Sequence, residues 1–192
     1  MDKIWFTSDL HFCHNKPFVY EPRGFSSIEE MNETIVNNFN SLVEENDDVY
    51  ILGDLILMDN QKGMEYVNKL NGNLHIILGN HDGNSRIELY KQCKKIKDIQ
   101  YSYLIKYKKY QFYLSHYPVC LGNYDMQMSR MWCLHGHTHF KEKFGEVDKN
   151  YNVALDAHNC FPIEIEDILL DIQQKWNEIY KNQVKLDKDK NF

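Results

Sequence analysis

Ile4-Trp5-Phe6-Thr7-Ser8-Asp9-Leu10-His11 opens the chain with a short apolar run that ends in a carboxylate and an imidazole. Two later segments repeat the plan: Val49-Tyr50-Ile51-Leu52 runs straight into Gly53-Asp54, and Ile76-Ile77-Leu78 into Gly79-Asn80-His81-Asp82. Ser115-His116 and Gly136-His137-Thr138-His139 complete five donor-bearing segments. Apolar runs rich in β-branched and aromatic residues that break into polar, Gly-containing turns mark the strand-to-loop junctions of a layered α/β domain. Such sheets hold their ligands beyond the strand ends. No single segment supplies enough donors for a metal ion, but together the five carry enough for two.

Working outward, the spacing predicts a strand at 3–8, then a loop to Ser27 that is long for a compact domain and therefore expected to be functional. Ser27-Ile28-Glu29-Glu30 fits a capping box. After it Ile28, Met31, Ile35, Phe39 and Leu42 recur at helical spacing and give one apolar face to lay on a sheet. A strand at 48–53, a helix near 61–70 stopped by Asn71-Gly72-Asn73, a strand at 74–79 and a short helix around 84–93 follow. Ile99–Lys106 and Tyr110–Ser115 read as a hairpin, Met131–Leu134 and Tyr151–Leu155 as further strands. Pro162 precedes a helix with Ile168, Leu169, Ile172 and Trp176 on one side. The pattern predicts a mixed sheet layered by helices, one domain over 1–183, and a charged, disordered tail over 184–192.

Bulk properties narrow the function. A chain of 192 residues has room for one substantial core. A net charge of −6 argues against a broad nucleic-acid surface, though bound cations would still admit a nucleotide substrate. Five cysteines, at 13, 93, 120, 133 and 160, form no CxxC pair and suit a reduced compartment. The first residues enter a strand with no basic-then-apolar leader, and no apolar run approaches membrane-spanning length. A cytoplasmic protein with no membrane partner is expected.

Carboxylate and imidazole donors, with an Asn carbonyl as neutral supplement, suit a hard or borderline divalent cation. Asp9 and His11 are two apart and so point the same way from a regular strand; His137 and His139 stand in the same relation. Asp54 is the natural bridging carboxylate, because one anion between two cations offsets their repulsion. Asp9, His11, Asp54 and His139 then surround one ion, and Asp54, Asn80, His116 and His137 the other. Two ions about 3.5–4 Å apart clamp the attacking and leaving oxygens of phosphoryl transfer and acidify a bridging water. The expected chemistry is phosphoester hydrolysis by hydroxide, without a serine or cysteine nucleophile.

Asp-x-His, Gly-Asp, Gly-Asn-His-Asp, a strand-end His and Gly-His-Thr-His, in that order, resemble the calcineurin-like metallophosphoesterase superfamily. The likeness spans residues 1 to about 160. It is nearest to the small single-domain bacterial and phage members, also in Phe6-Thr7-Ser8-Asp9-Leu10-His11-Phe12-Cys13-His14, Arg23-Gly24-Phe25 and Met31-Asn32-Glu33. The resemblance implies a four-layer α/β/β/α sandwich of mixed sheets with a dinuclear metal site at the strand-end loops. It implies two divalent ions, manganese first, with iron, zinc, nickel or magnesium as alternatives. It makes His81 a catalytic residue near the phosphate and leaving group, oriented by Asp82. The chain departs from the Ser/Thr protein phosphatases, which resume Val-Asp-Arg-Gly where Leu55-Ile56-Leu57-Met58-Asp59 stands here and carry Glu where Asp82 stands. It also lacks the capping domain of the superfamily's DNA double-strand-break nucleases.

Other polar residues have bland readings beside the sharp ones. His75, His135 and His158 read as structural. Asn80 fits either a ligand or a left-handed turn residue after Gly79. His14 contacts either substrate phosphate or its own loop, and Arg23 is either a phosphate clamp or a salt bridge. Asp156 caps a strand or serves the site. The expected partner is a small phosphoester or nucleotide, with no stable nucleic-acid complex; the oligomeric state is not legible. Loops 12–27, 55–60 and 117–130 would decide monoester against diester. A narrower phosphodiesterase acting on cyclic nucleotides or nucleic-acid ends is the second reading. A non-catalytic interaction module on the same fold is the competing class.

Overall fold

The computed structural model describes residues 2–121, 130–145, 147 and 149–189. Four strands, β1 (Ile4–Thr7), β2 (Asp48–Leu52), β3 (Asn73–Ile77) and β4 (Ile96–Gln100), lie parallel in the order β4-β3-β2-β1. A second sheet joins β5 (Ser102–Tyr107), β6 (Tyr110–Ser115), β7 (Met131–His135) and β8 (Asn150–Asn152) in sequence order; only its β5–β6 pair is antiparallel. The short β9 (Ile163–Glu164) closes the first sheet, antiparallel to β1.

Alternation along the strands separates two cores. Trp5, Val49, Ile51, Leu74 and Ile76 pack against Met31, Ile35 and Phe39 of α2 (Ile28–Leu42) and Val67 of α3 (Asn60–Lys69). Phe6, Leu52 and Ile77, on the opposite face, meet Phe112, Leu114, Trp132 and Leu134 of the second sheet. Ile165, Ile168, Leu169 and Ile172 of α5 (Ile165–Asp189) join that second cluster. Glu166 of α5 accepts from Tyr107 Oη at 2.6 Å, and Asp171 accepts from Lys143 Nζ at 2.9 Å. The chain forms the expected α/β/β/α sandwich of two mixed sheets. Among the described residues, no helix is long and apolar enough to cross a membrane.

The long loop before α2 carries the four-residue helix α1 (Pro17–Tyr20). Ser27 caps α2 as its sequence predicts, Oγ accepting from Glu30 N at 3.1 Å, but the Glu30 carboxylate reaches Ser26 N at 2.8 Å rather than Ser27. Leu42, the last residue of the expected apolar face, is exposed. The segment 99–106, expected as one strand, is divided at Tyr101: β4 ends the first sheet and β5 begins the second. β8 stops at Asn152, short of the expected Leu155, which opens a 3-10 turn. The last helix continues to Asp189, through most of the tail expected to be disordered. The sequence from Ile165 to Asp189 has no Gly or Pro to end it. Residues 190–192, and 122–129 of the expected pocket loop 117–130, lie outside the described residues.

Asp47 fastens the start of β1. Its carboxylate accepts from Lys3 N at 2.8 Å, Trp5 Nε1 at 2.9 Å and Glu44 N at 3.0 Å. Burial works to raise this carboxyl, but those donors outweigh it and hold the group below its ordinary value. A carboxyl depressed in the folded state stabilises that state above the unfolded pKa of about 3.9, and the contribution fades as pH falls through the folded value. The gap in urea midpoint between the native chain and Asp47→Asn is therefore expected to be widest near neutral pH and to shrink by about pH 3. In the inter-sheet core, Phe6→Ala removes a fully buried ring. It is expected to cost about 3–5 kcal/mol in urea titration at constant m.

Candidate metal centre

The donors gather where parallel strands end. Asp9 and His11 follow β1, Asp54 follows β2, and Asn80 and His81 follow β3. α4 (Asn84–Tyr90) comes next in the chain. His116 follows β6, and His137 and His139 follow β7. Asp9, His11, Asp54, His137 and His139 all have positive φ, between 50° and 69°. Asp and His are among the few side chains that accept this conformation without severe strain. Asp9 and His11 thus share a side not through a regular strand, which ends at Thr7, but through two left-handed residues with the buried Leu10 between them. Asn80 stands in the turn after β3 but is not among the positive-φ residues, so it is not the left-handed residue of that turn.

Backbone pairing continues past the sheet: Asp9 N donates to Gly53 O and His11 N to Asp54 O, both at 3.0 Å. The turns then touch at their glycines. A Cβ on Gly53, at φ +89°, would lie 2.7 Å from Gly79 Cα and against His116 Nδ1. A Cβ on Gly136 would collide with Ser8 Oγ and Asp9 Oδ2.

Two donor groups result. In one, His11 Nε2 stands 3.3 Å from His139 Nε2, and Asp9 Oδ1 lies 3.8 and 3.6 Å from those nitrogens. In the other, His116 Nε2 is 2.9 Å from Asn80 Oδ1 and 3.2 Å from His137 Nδ1. Asp54 Oδ2 belongs to both, 3.8 Å from His11 Nε2 and 3.6 Å from His116 Nε2. Its other oxygen accepts from His81 N at 2.9 Å. The seven residues expected as ligands thus lie together at this end of the two sheets.

The hydrogen bonds within these groups fit cations better than they fit each other. His116 Nδ1 lies 2.8 Å from the Leu52 carbonyl, which only accepts, so the proton of a neutral ring sits there and Nε2 carries a lone pair. That lone pair faces the Asn80 carbonyl oxygen: two acceptors in contact. His139 Nδ1 likewise donates to Asp156 Oδ2 at 3.0 Å, leaving its Nε2 lone pair toward His11. Asp9 Oδ1 is buried with no hydrogen-bond partner among the described residues. Cations between these acceptors would satisfy all three. Burial pushes the Asp54 carboxyl up, against the pull of His116, and pushes His11 well down. A bound cation would favour the anionic carboxylate.

Other expected site residues are placed differently. The Arg23 guanidinium, expected at the phosphate, is buried: Nε donates to Asp156 Oδ1 at 2.9 Å and Nη2 to Asp156 Oδ2 at 2.7 Å and to the Asp9 carbonyl at 2.8 Å. It has no face left for substrate. Asp82, expected to orient His81, instead accepts from Asp54 N at 2.9 Å, Gly79 N at 2.8 Å and Tyr90 Oη at 2.7 Å, and so locks the bridging carboxylate's turn. His81 itself stands over the site, 45 % exposed, with Nε2 3.9 Å from Asp54 Oδ2. His14 is half-buried at the rim, its ring 5.2 Å from His11 and 6.5 Å from His81, and burial lowers its pKa to about 4. His75, His135 and His158 bond to Asp98, Gly136 O and Asn152 O, outside the donor set.

Sequence reasoning left Asp156 undecided and passed over Tyr90, Tyr117 and Arg86. Tyr117 packs its ring 4.6 Å from His137, and Arg86 donates to the His81 carbonyl. Arg86 lies five residues past His81, a short helical reach that the spacing holds in plain view. Asp156 has no local signature. Orienting carboxylates of this kind typically tune metal affinity by about 10–100-fold. Asp156→Asn is therefore expected to weaken manganese binding by that order in calorimetric titration, and to lower the melting temperature through the buried Arg23 left without its anion.

A family model of calcineurin-like phosphoesterases matches residues 2–190. An uncharacterized protein of Methanocaldococcus jannaschii, MJ1445, is 35 % identical over 173 residues, covering 86 % of this chain and 89 % of its own. The gene 66 protein of Mycobacterium phage D29 is 25 % identical over 202 residues, covering 91 % and 99 %. Among solved structures, the protein AQ665 of Aquifex aeolicus, of unknown function, superposes with a TM-score of 0.69 at 21 % identity over 88 % of this chain and 98 % of its own. With its five strand-end donor turns in the order the sequence announces, the chain belongs to the calcineurin-like phosphoesterase family.

Proposed function

We propose that the chain is a phosphoesterase working with two divalent cations, one held by Asp9, His11, Asp54 and His139, the other by Asp54, Asn80, His116 and His137. The observation that carries this reading is Asp54 Oδ2, set 3.6–3.9 Å from imidazole nitrogens of three separate turns, His11, His116 and His81. When bound, such ions polarise phosphoryl oxygens and make water acidic enough to attack near neutral pH. Mixed nitrogen and oxygen donors suit manganese, with iron, zinc, nickel or magnesium competing by availability.

The chain's own residues do the rest. Asp54 and Asp9 place negative charge between the ion positions, and Ser8 Oγ and His137 N hold the second Asp9 oxygen in place. His81, exposed above Asp54, is the residue positioned to stabilise or protonate the leaving oxygen. Its backbone is fixed from both sides, N–H to Asp54 and carbonyl from Arg86. His14 borders the same opening and would contact the phosphate from the α1 side. The substrate is a small phosphomonoester or phosphodiester, and the acidic chain is not proposed to hold a stable nucleic-acid complex. Five free cysteines support a cytoplasmic setting.

The test uses protein stripped of metal and reloaded with manganese, assayed on bis-p-nitrophenyl phosphate beside p-nitrophenyl phosphate. Turnover is expected to require manganese and to fall to background in Asp54→Asn. Undiminished turnover in that variant would sink the proposal. Protein that neither binds metal nor turns over either ester would favour the non-catalytic interaction module instead.

A further inference from the structure

The His81 ring, placed to act on the leaving oxygen, is held by no hydrogen bond among the described residues. Its Nε2 stands 3.9 Å from Asp54 Oδ2, beyond hydrogen-bond range. The ring leans on two other imidazoles, His11 and His14, with centroids 5.8 and 6.5 Å away. Asp82, the neighbour expected to orient it, is committed to Asp54 N, Gly79 N and Tyr90 Oη. A side chain that must meet a leaving oxygen to within a fraction of an ångström therefore takes its place from its own backbone.

That backbone is gripped on both sides. His81 N donates to Asp54 Oδ1 at 2.9 Å, and the His81 carbonyl accepts from Gly83 N at 3.0 Å and from Arg86 Nη1. The Gly83 bond lies inside the same short turn and moves with it. Arg86 reaches further: its Nε donates at 3.0 Å to Asn60 Oδ1, on the first residue of α3. That helix is anchored in turn, capped by Asp59, which accepts from Lys62 N at 3.0 Å, and packed into the first core through Met64 and Val67. Arginine suits the task because its donors sit in one fixed planar fork, which a lysine lacks. Among the described residues Arg86 makes no ion pair, and both its acceptors are neutral. What it supplies is geometry.

We infer that Arg86, held by Asn60, is the positioning residue of His81 and fills the role that the sequence assigned to Asp82. The guanidinium ties the His81 peptide to α3 and so fixes where the ring stands above Asp54. The inference rests on the phosphoesterase reading and adds to it a residue that acts on the leaving-group side only.

Two diesters that differ only in the leaving group test it, methyl phenyl phosphate and methyl p-nitrophenyl phosphate, both with the manganese-loaded protein. Phenol leaves less readily than p-nitrophenol and depends more on His81. Arg86→Met is expected to lower kcat about tenfold on the phenyl ester and less than about twofold on the p-nitrophenyl ester, with KM little changed in either. In a His81→Ala background the same substitution is expected to cost nothing further, since the two residues act as a unit. Equal losses on the two esters, or a loss that persists without His81, overturn the inference. Asn60→Ala, which frees Arg86 Nε, is expected to give the same pattern at smaller size, and it decides alone if Arg86→Met fails to fold. If the native protein hydrolyses neither ester, the phosphoesterase reading fails, and NMR of the metal-free protein judges the brace separately. A His81 ring Cε1 resonance that shifts in Arg86→Met or Asn60→Ala, while those of His75 and His158 stay in place, upholds it. An unmoved His81 resonance overturns it.

Discussion

Two carboxylates, Asp9 and Asp54, are sealed from solvent at the joint between the two sheets, and the arrangement around them answers that cost. An unpaired buried carboxylate is expensive by several kcal/mol even after relaxation. Here each has one oxygen fixed by backbone N–H groups from a different turn, His137 N for Asp9 and His81 N for Asp54. The remaining oxygens are left to imidazoles and to the cations proposed between them. Asp9 thereby ties the turn after β1 to the second-sheet turn after β7, and Asp54 ties the turns after β2 and β3.

That closeness explains the residue types at the turns. Five of the candidate donors adopt left-handed backbone, where β-branched or bulky apolar side chains would be strained, and Asp and His are tolerated. Gly53 and Gly136 stand where neighbouring turns pass too near for any Cβ. A motif such as Gly-Asp or Gly-His-Thr-His is thus a steric solution as much as a list of ligands. The glycine lets two turns meet, and the next residue turns left-handed into the gap.

Around the donors, polar braces convert loops into a rigid site. Arg23 and Asp156 are 133 residues apart and form a bidentate pair that also grips the Asp9 carbonyl and fixes the proton of His139. Asp82 and Tyr90 do the equivalent work under Asp54. The first pair decides which His139 nitrogen faces inward, and the second fixes the backbone of the Asp54 turn.

Much of this was legible in the chain itself. Continuous apolar runs at β1, β2 and β3, each breaking into Gly, Asp, Asn or His, located those strand ends and four of the seven candidate donors, and the His-bearing segments after β6 and β7 supplied the other three, because apolar runs and donor chemistry are local properties. The helix signal of α2 was equally local. The tertiary structure alone decided that Arg23 pairs with Asp156 instead of phosphate, that Asp82 braces Asp54 instead of His81, and that Tyr101 divides one β-rich run between two sheets. It also decided that Ile163 and Glu164 complete the first sheet. Each of these depends on which distant residue arrives alongside, and the hydrogen-bonding capacity of an arginine or a carboxylate is the same whichever partner the fold supplies.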